Sequence, residues 1–238
     1  MAKEYKDLIV GLDIGTSKIM AVVAEVQADA SIKVLGMGVA PSTGMKRGVV
    51  VNIEASVQSI QQAVREAEMM AACKITRVIT GITGSHIRGR NSVGMVAVRD
   101  REVSPSDVAK VLETARAINI STDQRPLLVE PQEFIIDGQE VKEPIGMSGV
   151  RLESKVHIVT CAQSAAENII KCVRRCGLEV EHLMLNPLAA SMATLTEDER
   201  ELGVVLIDIG AGTTDIAVFS GGAIRHTAVL PVAGELIT

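Results

Sequence analysis

Two short stretches carry residues that could hold a phosphorylated ligand. GLDIGTSKIMAVVAE, residues 11–25, is echoed by LIDIGAGTTDIAVFS, residues 206–220, with Asp13-Ile14-Gly15 aligned on Asp208-Ile209-Gly210. In each, an apolar run ends on an aspartate, a turn of small residues follows, and a β-branched run leaves. A tight turn between two strands lets backbone N–H groups approach an anion where no Cβ blocks the way. Gly15-Thr16-Ser17-Lys18 and Gly210-Ala211-Gly212-Thr213 both have that composition. An aspartate at the end of the entering strand suits Mg²⁺ held through water, and Asp13 and Asp208 occupy that place. Two such hairpins facing each other across a cleft would hold one triphosphate from both sides, a reason to build the same unit twice.

The signal lies in the duplication, because a lone DxG before a turn is common. The chain has no GxxxxGK[ST], which rules out a P-loop, and neither glycine turn opens onto a helix, which rules out a dinucleotide-binding turn. Lys18 has two readings, neutralising phosphate charge or pointing along its strand to solvent. Asp215 also has two, as a ligand-site carboxylate or as a turn-stabilising residue.

The elements that must position these residues are legible in the hydrophobic pattern. With 47% hydrophobic residues the 238-residue chain can build real cores, and with 1% aromatics those cores must be aliphatic. Segments 8–14, 19–26 and 32–40 read as a three-strand meander. Apolar residues at 53, 57, 60, 64, 67 and 71 mark a helix packed on a sheet, and 77–82 is the next strand. Residues 84–155 change character, with candidate strands at 93–98 and 127–136, a turn at Asp137-Gly138, and a helix from Ser104 that has Pro105 at its first position and Asp107 in capping register. The pattern resumes with a strand at 155–162, a helix from Ser164 with Glu167 in capping register and Gly177 as its stop, a strand at 178–185 and a short helix over 187–195. The polar TEDEREL, 196–202, is the candidate hinge or interdomain connection, and the repeated hairpin follows at 203–229.

A net charge of -5 gives no footprint for nucleic acid, and Lys46-Arg47 and Arg88/Arg90 read as solvated surface. MAKEYKD does not resemble a secretory leader, and no apolar run reaches membrane-spanning length. Cys73, Cys161, Cys172 and Cys176 read as free thiols in the cytosol. His86, His157, His182 and His226 are scattered without metal-ligand spacing and receive no catalytic role.

LDIGTSK and IDIGAGTTD, with LMLNPLAAS between them, resemble the two phosphate motifs and the first connecting motif of the actin, Hsp70 and sugar-kinase superfamily. PSTGMKRGVVVNIEA, EPQEFIIDGQEVKEPIGMSGVRLESKVHIVTC, LTEDERELGVVLIDIGAGTTDIAV and GGAIRHTAVLPVAGELIT narrow the resemblance to the bacterial FtsA cell-division family over nearly the whole chain. The resemblance implies an α/β actin-like ATPase (ribonuclease H-like) fold. Residues 1–83 and 156–196 would form the first lobe, 84–155 an inserted α+β subdomain, and 197–238 the start of a truncated second lobe. Family members continue beyond Thr238, so the chain is expected to be a shortened form with one apolar face of the 203–229 meander uncovered.

Carried over motif by motif, Gly15, Thr16, Ser17 and Lys18, with Gly210, Ala211, Gly212, Thr213 and Thr214, would hold the phosphates of ATP. Asp13, Asp208 and Asp215 would arrange Mg²⁺ and its waters. Where Hsp70- and MreB-like relatives have a glutamate before the proline of the connecting motif, this chain has Asn186, which could position water but not act as a base. Nucleotide binding is therefore expected, with hydrolysis weak or absent. The resemblance further implies a polymer-forming adaptor, cytoplasmic and peripheral at the inner face of the membrane at the division site. It would join the tubulin-like FtsZ to the membrane through a C-terminal segment beyond this chain, and to later division proteins through 84–155. A sugar or acetate kinase would need substrate-binding polar groups that the 84–155 block does not supply. The pilus-assembly adaptor PilM shares the fold and the insertion, and stays open as an alternative.

Overall fold

The computed structural model describes residues 8–237; the MAKEYKD stretch weighed above as a leader, and Thr238, lie outside the described residues. Strands β1 (Leu8–Ile14), β2 (Lys18–Val26) and β3 (Ile32–Pro41) form the antiparallel meander. Their alternation sends Val10, Leu12, Ile14, Ile19, Ala21 and Val23 into one core. A small hairpin that the hydrophobic pattern did not announce, β4 (Met45–Lys46) and β5 (Val49–Val50), comes next. Helix α1 (Ile53–Ala71) starts at Asn52, whose Oδ1 accepts from the Ala55 N–H at 3.1 Å, and buries Val57, Ile60, Val64, Ala67 and Ala71. The helix supplies the crossover that lets β6 (Arg77–Ile82) run parallel to β1.

A second sheet follows, ordered β7-β10-β8-β9, from β7 (Arg88–Ala97), β8 (Gln124–Ile136), β9 (Gln139–Val141) and β10 (Arg151–Ala162). Helix α2 (Pro105–Arg116) begins with the Ser104–Asp107 capping box and covers one face, with Val111 and Ala115 against Leu152, Val156 and Ile158. The turn at Asp137 and Gly138, both at positive φ, joins β8 to β9. The expected break at 155/156 falls inside β10, which pairs continuously with β7 from Arg151↔Ala97 to Thr160↔Arg88. No turn residue marks the change, because one strand serves two cores: Leu152 and Val156 face the insert, while Val159 and Cys161 join the core of the first lobe.

Helix α3 (Gln163–Arg175) starts one residue before the expected Ser164, without a side-chain cap; Glu167 accepts from Gln163 Nε2 at 2.7 Å instead. Gly177, at φ +79, ends that turn. Strand β11 (Glu179–Leu185) completes the sheet β11-β6-β1-β2-β3 and leads into α4 (Asn186–Thr194). The polar 196–202 segment forms a short helix, α5 (Glu197–Leu202), with a Thr196–Glu199 capping box. Arg200 holds it in place, donating from Nη2 to the Ser191 carbonyl at 2.6 Å with its guanidinium 5.6 Å over the Phe219 ring.

The repeated meander is β12 (Val204–Ile209), β13 (Thr214–Ser220) and β14 (Ala223–Leu230), followed by α6 (Gly234–Ile237). One face buries Ala217, Phe219 and Ile224 against Leu188 and Leu195 around α4 and Leu128 of β8. Val205, Ile207 and Ile209 of β12 are exposed on the other side.

Candidate functional site

Both glycine turns close with the same hydrogen bond, Gly15 N–H to Lys18 O at 3.1 Å and Gly210 N–H to Thr213 O at 2.9 Å. The first glycine amide of each is thereby committed to the turn. The amides of Thr16, Ser17, Ala211 and Gly212 make no hydrogen bond among the described residues. The turns meet directly, for a Cβ at the buried Gly212 would lie 2.7 Å from Thr16 Oγ1. Thr16 Oγ1 also accepts from the Gly48 N–H at 3.2 Å, so the β4–β5 hairpin joins the same contact. Ser17, Lys18 and Gly210 are exposed, Ala211 and Thr214 half-buried, and Thr213 buried. Thr214 donates its hydroxyl to the Val232 carbonyl at 2.7 Å, and α6 begins by bonding the second turn through Gly234 N–H to Gly210 O and Glu235 N–H to Ala211 O.

A cleft of about 460 Å³ opens between the two halves, lined by Asp13, Met20, Thr80, Gly81, Asn186 and Asp208 among others. Gly81 leaves room for Asn186, whose Oδ1 would lie 2.2 Å from a Cβ there. The two aspartates and Asn186 thus share one space. The turn residues 15–18 and 210–214 do not line it; they touch each other instead of flanking a gap. A larger hollow of about 600 Å³ lies elsewhere, between the insert and the β13–β14 turn. Opposite charges line it, with Lys142–Glu201 at 2.7 Å and Arg225–Glu133 at 4.0 Å, and it contains none of the sequence-predicted site residues.

Burial raises the Asp13 pKa, the Asp208 carboxylate raises it further, and Lys18 pulls it back. Two facing carboxylates in a half-buried cleft are an arrangement that a divalent cation relieves. Among the described residues no three His, Cys, Asp or Glu side chains converge as a direct ligand cage. Asp215, the third expected carboxylate, is buried at the second turn. It is 3% exposed, and its two oxygens accept hydroxyls from Thr83 and from Thr213, the latter at 3.2 Å. Burial pushes its pKa up to about 6 against the pull of those two hydroxyls. Asp215 pairs with Asp208 across the β12–β13 register, and Thr83, just past the end of β6, lies against it.

Residues 84–160 match the family description "SHS2 domain inserted in FTSA", and residues 205–238 match "Cell division protein FtsA". The Cell division protein FtsA of Pseudomonas aeruginosa is 60% identical over 232 residues, which is 97% of this chain and 56% of that protein. The Escherichia coli K12 protein of the same name is 48% identical over 98% of this chain and 56% of its own length. The chain belongs to the FtsA family. It spans little more than half the length of these FtsA relatives. Among solved structures, the PilM-PilN type IV pilus biogenesis complex superposes with a TM-score of 0.67 at 18% identity, over 95% of this chain and 62% of that one. EutJ from Carboxydothermus hydrogenoformans gives 0.54 at 18%, over 96% and 53%. The fold is therefore the actin-like ATPase fold, with the insert that FtsA carries. No helix among the described residues is long and apolar enough to cross a membrane.

Two long-range contacts escaped the sequence reading. The first is the tip of the β4–β5 hairpin, because Lys46-Arg47 looked like ordinary surface. The second is His157, fully buried on β10, whose Nδ1 contacts Asn91 Oδ1 at 2.6 Å and whose Nε2 contacts Thr227 Oγ1 at 2.9 Å. Asn91 Nδ2 donates to Arg225 O, which turns its Oδ1 toward the ring, so Nδ1 carries the proton and Thr227 donates to Nε2. Gln132 Nε2 donates to Ile224 O at 2.7 Å. Three insert strands thus grip β14 through polar groups, a cross-strand contact that spacing along the sequence does not reveal.

Proposed function

We propose that this chain carries the phosphate- and magnesium-binding part of an ATP-dependent, self-assembling division adaptor. The observation that supports it most is the direct meeting of the two glycine turns beside a cleft that Asp13 and Asp208 share. The free amides of Thr16, Ser17, Ala211 and Gly212 supply anion donors. Magnesium, when bound, neutralises the phosphates; Asp13 and Asp208 hold its waters, and Lys18, electrostatically coupled to Asp13, adds a cation. Thr213 and Asp215 tie the second turn to the first lobe rather than touching the ion. Asn186 is aimed into the cleft without a basic group, so its role is to orient water, and turnover is slow at most.

Family membership supports the remaining assignments. In this reading the assembled protein links an FtsZ ring to the membrane at the inner face of the division site, and residues 84–155 face later division proteins. The domain division is read the same way, with β10 shared between the insert and the first lobe. Calorimetry with Mg-ATP tests the core of this reading. Binding by the unsubstituted chain that falls at least about tenfold in Asp13→Ala, the loss of one charge-assisted contact, is expected; equal affinity would remove the metal assignment.

A further inference from the structure

Loop 41–52 is tied down at each end of its hairpin. Ser42 N–H donates to the Ser17 carbonyl at 3.0 Å, and the Val51 and Asn52 amides return to the Gly44 carbonyl at 2.9 and 3.1 Å. Between these anchors the β4–β5 turn is made by Arg47 at φ +49 and Gly48 at φ +75, two consecutive left-handed residues. Gly48 satisfies both demands of its place, the positive φ and the close approach to Thr83, whose carbonyl oxygen would lie 2.9 Å from a Cβ. Arg47 does not satisfy its own: a left-handed arginine costs about 1 kcal/mol that glycine or asparagine would avoid.

The strained arginine stands where the two phosphate turns meet. A Cβ at Gly212 would lie 3.0 Å from Arg47 Cα, and the neighbouring Gly48 amide holds Thr16 Oγ1. Arg47 is exposed and makes no ion pair or hydrogen bond among the described residues. The surrounding charge asks for such a group. Burial and the Asp208 carboxylate already raise the cost of ionising Asp13, and a polyphosphate adds more negative charge than one divalent ion and Lys18 offset.

We propose that Arg47 is a further phosphate-contacting residue, presented by the β4–β5 hairpin to the distal end of a polyphosphate held at the two turns. The proposal rests on the nucleotide reading above. A guanidinium suits the role because its fixed fork of N–H donors matches two phosphate oxygens at once, which the point charge of lysine does not. The left-handed backbone, costly elsewhere, is kept where the Arg47 Cα sits at the junction of the two turns.

The test is calorimetric titration of the unsubstituted chain, Arg47→Ala, Arg47→Lys, Lys46→Ala and Asp13→Ala with Mg-ATP, Mg-ADP and magnesium tripolyphosphate, with thermal melts as a fold control. Arg47→Ala is expected to lose about tenfold or more in affinity for tripolyphosphate and ATP and less for ADP. Arg47→Lys should recover part of the loss, and Lys46→Ala should stay within about twofold. The melting temperature of Arg47→Ala should hold. Binding by Arg47→Ala equal to the unsubstituted chain, while Asp13→Ala loses it, would overturn the proposal and leave the nucleotide reading standing. An equal loss in Lys46→Ala and Arg47→Ala would also overturn it, because general surface charge would explain both. If the unsubstituted chain binds none of the three ligands, the nucleotide reading fails and the proposal with it.

Discussion

Thr83 donates its hydroxyl to Asp215 across 132 positions of sequence, joining the end of β6 to β13 within one layer of the second phosphate turn. The bond is buried at both ends, so the two halves of the cleft are held by a polar contact that water does not reach. Its loss is costly for that reason. Thr83→Val keeps the shape and removes the donor, and should destabilise the chain by about 1–3 kcal/mol in urea unfolding.

The same pair makes a pH prediction. Asp215 has a folded pKa of about 6 against an ordinary carboxylate value of 3.8, so the unfolded chain ionises first as pH rises. Stability from this group is complete below about pH 3.8 and falls as pH rises through 6. Asp215→Asn retains an acceptor for Thr83 and abolishes that dependence. The difference in melting temperature between Asp215→Asn and the unsubstituted chain should therefore grow in the variant's favour from pH 4 to pH 7, and a constant difference would contradict the assignment.

His157 acts with the opposite sign. Burial first, then the nearby His226, hold its pKa down at about 4 from an ordinary 6.5. Between those values the unfolded chain takes up a proton that the folded chain refuses, so stability is lost as pH falls from 6.5 toward 4. The loss from this one group is at most about 3 kcal/mol. In His157→Gln the amide can still bond Asn91 or Thr227 without titrating, and its acid destabilisation should be shallower than that of the unsubstituted chain over that interval.

The sequence carried the parts of this protein that repeat or alternate. Periods of two and of three to four residues gave β1 to β3, α1, β6 and the repeated meander, because burial of aliphatic side chains enforces those periods. Asp13, Asp208 and the two glycine turns were legible as a duplicated pattern, and the cleft brings Asp13 and Asp208 together. What escaped reading depended on contacts between distant segments. Nothing near Asp215 in sequence announces Thr83, and nothing near Arg47 announces Gly212. TEDEREL looked like a linker because it is polar throughout, yet its T-x-x-E spacing was a helix start, and the packing that fixes it comes from Ser191 and Phe219. A boundary inside β10 was invisible because the strand passes from one core to the next with no break in its alternation.

The contact between the two turns yields the most direct test of the site's architecture. Gly212 is buried with Thr16 and the Arg47 backbone against it, and a methyl group there would lie 2.7 Å from Thr16 Oγ1 and 3.0 Å from Thr16 Cγ2. Gly212→Ala must therefore separate the turns or distort one of them, at about 1–3 kcal/mol. Removing the Thr16 side chain beyond Cβ vacates both of those atoms' places, so Thr16→Ala in the same chain should recover part of the loss. The Arg47 Cα, at 3.0 Å, would still resist, and recovery should be incomplete. A double-mutant cycle by chemical unfolding measures this coupling, expected at about 0.5 kcal/mol or more for residues in contact. Additive effects of the two substitutions would mean that the turns do not touch in solution, and the shared cleft of Asp13 and Asp208 would lose its structural basis.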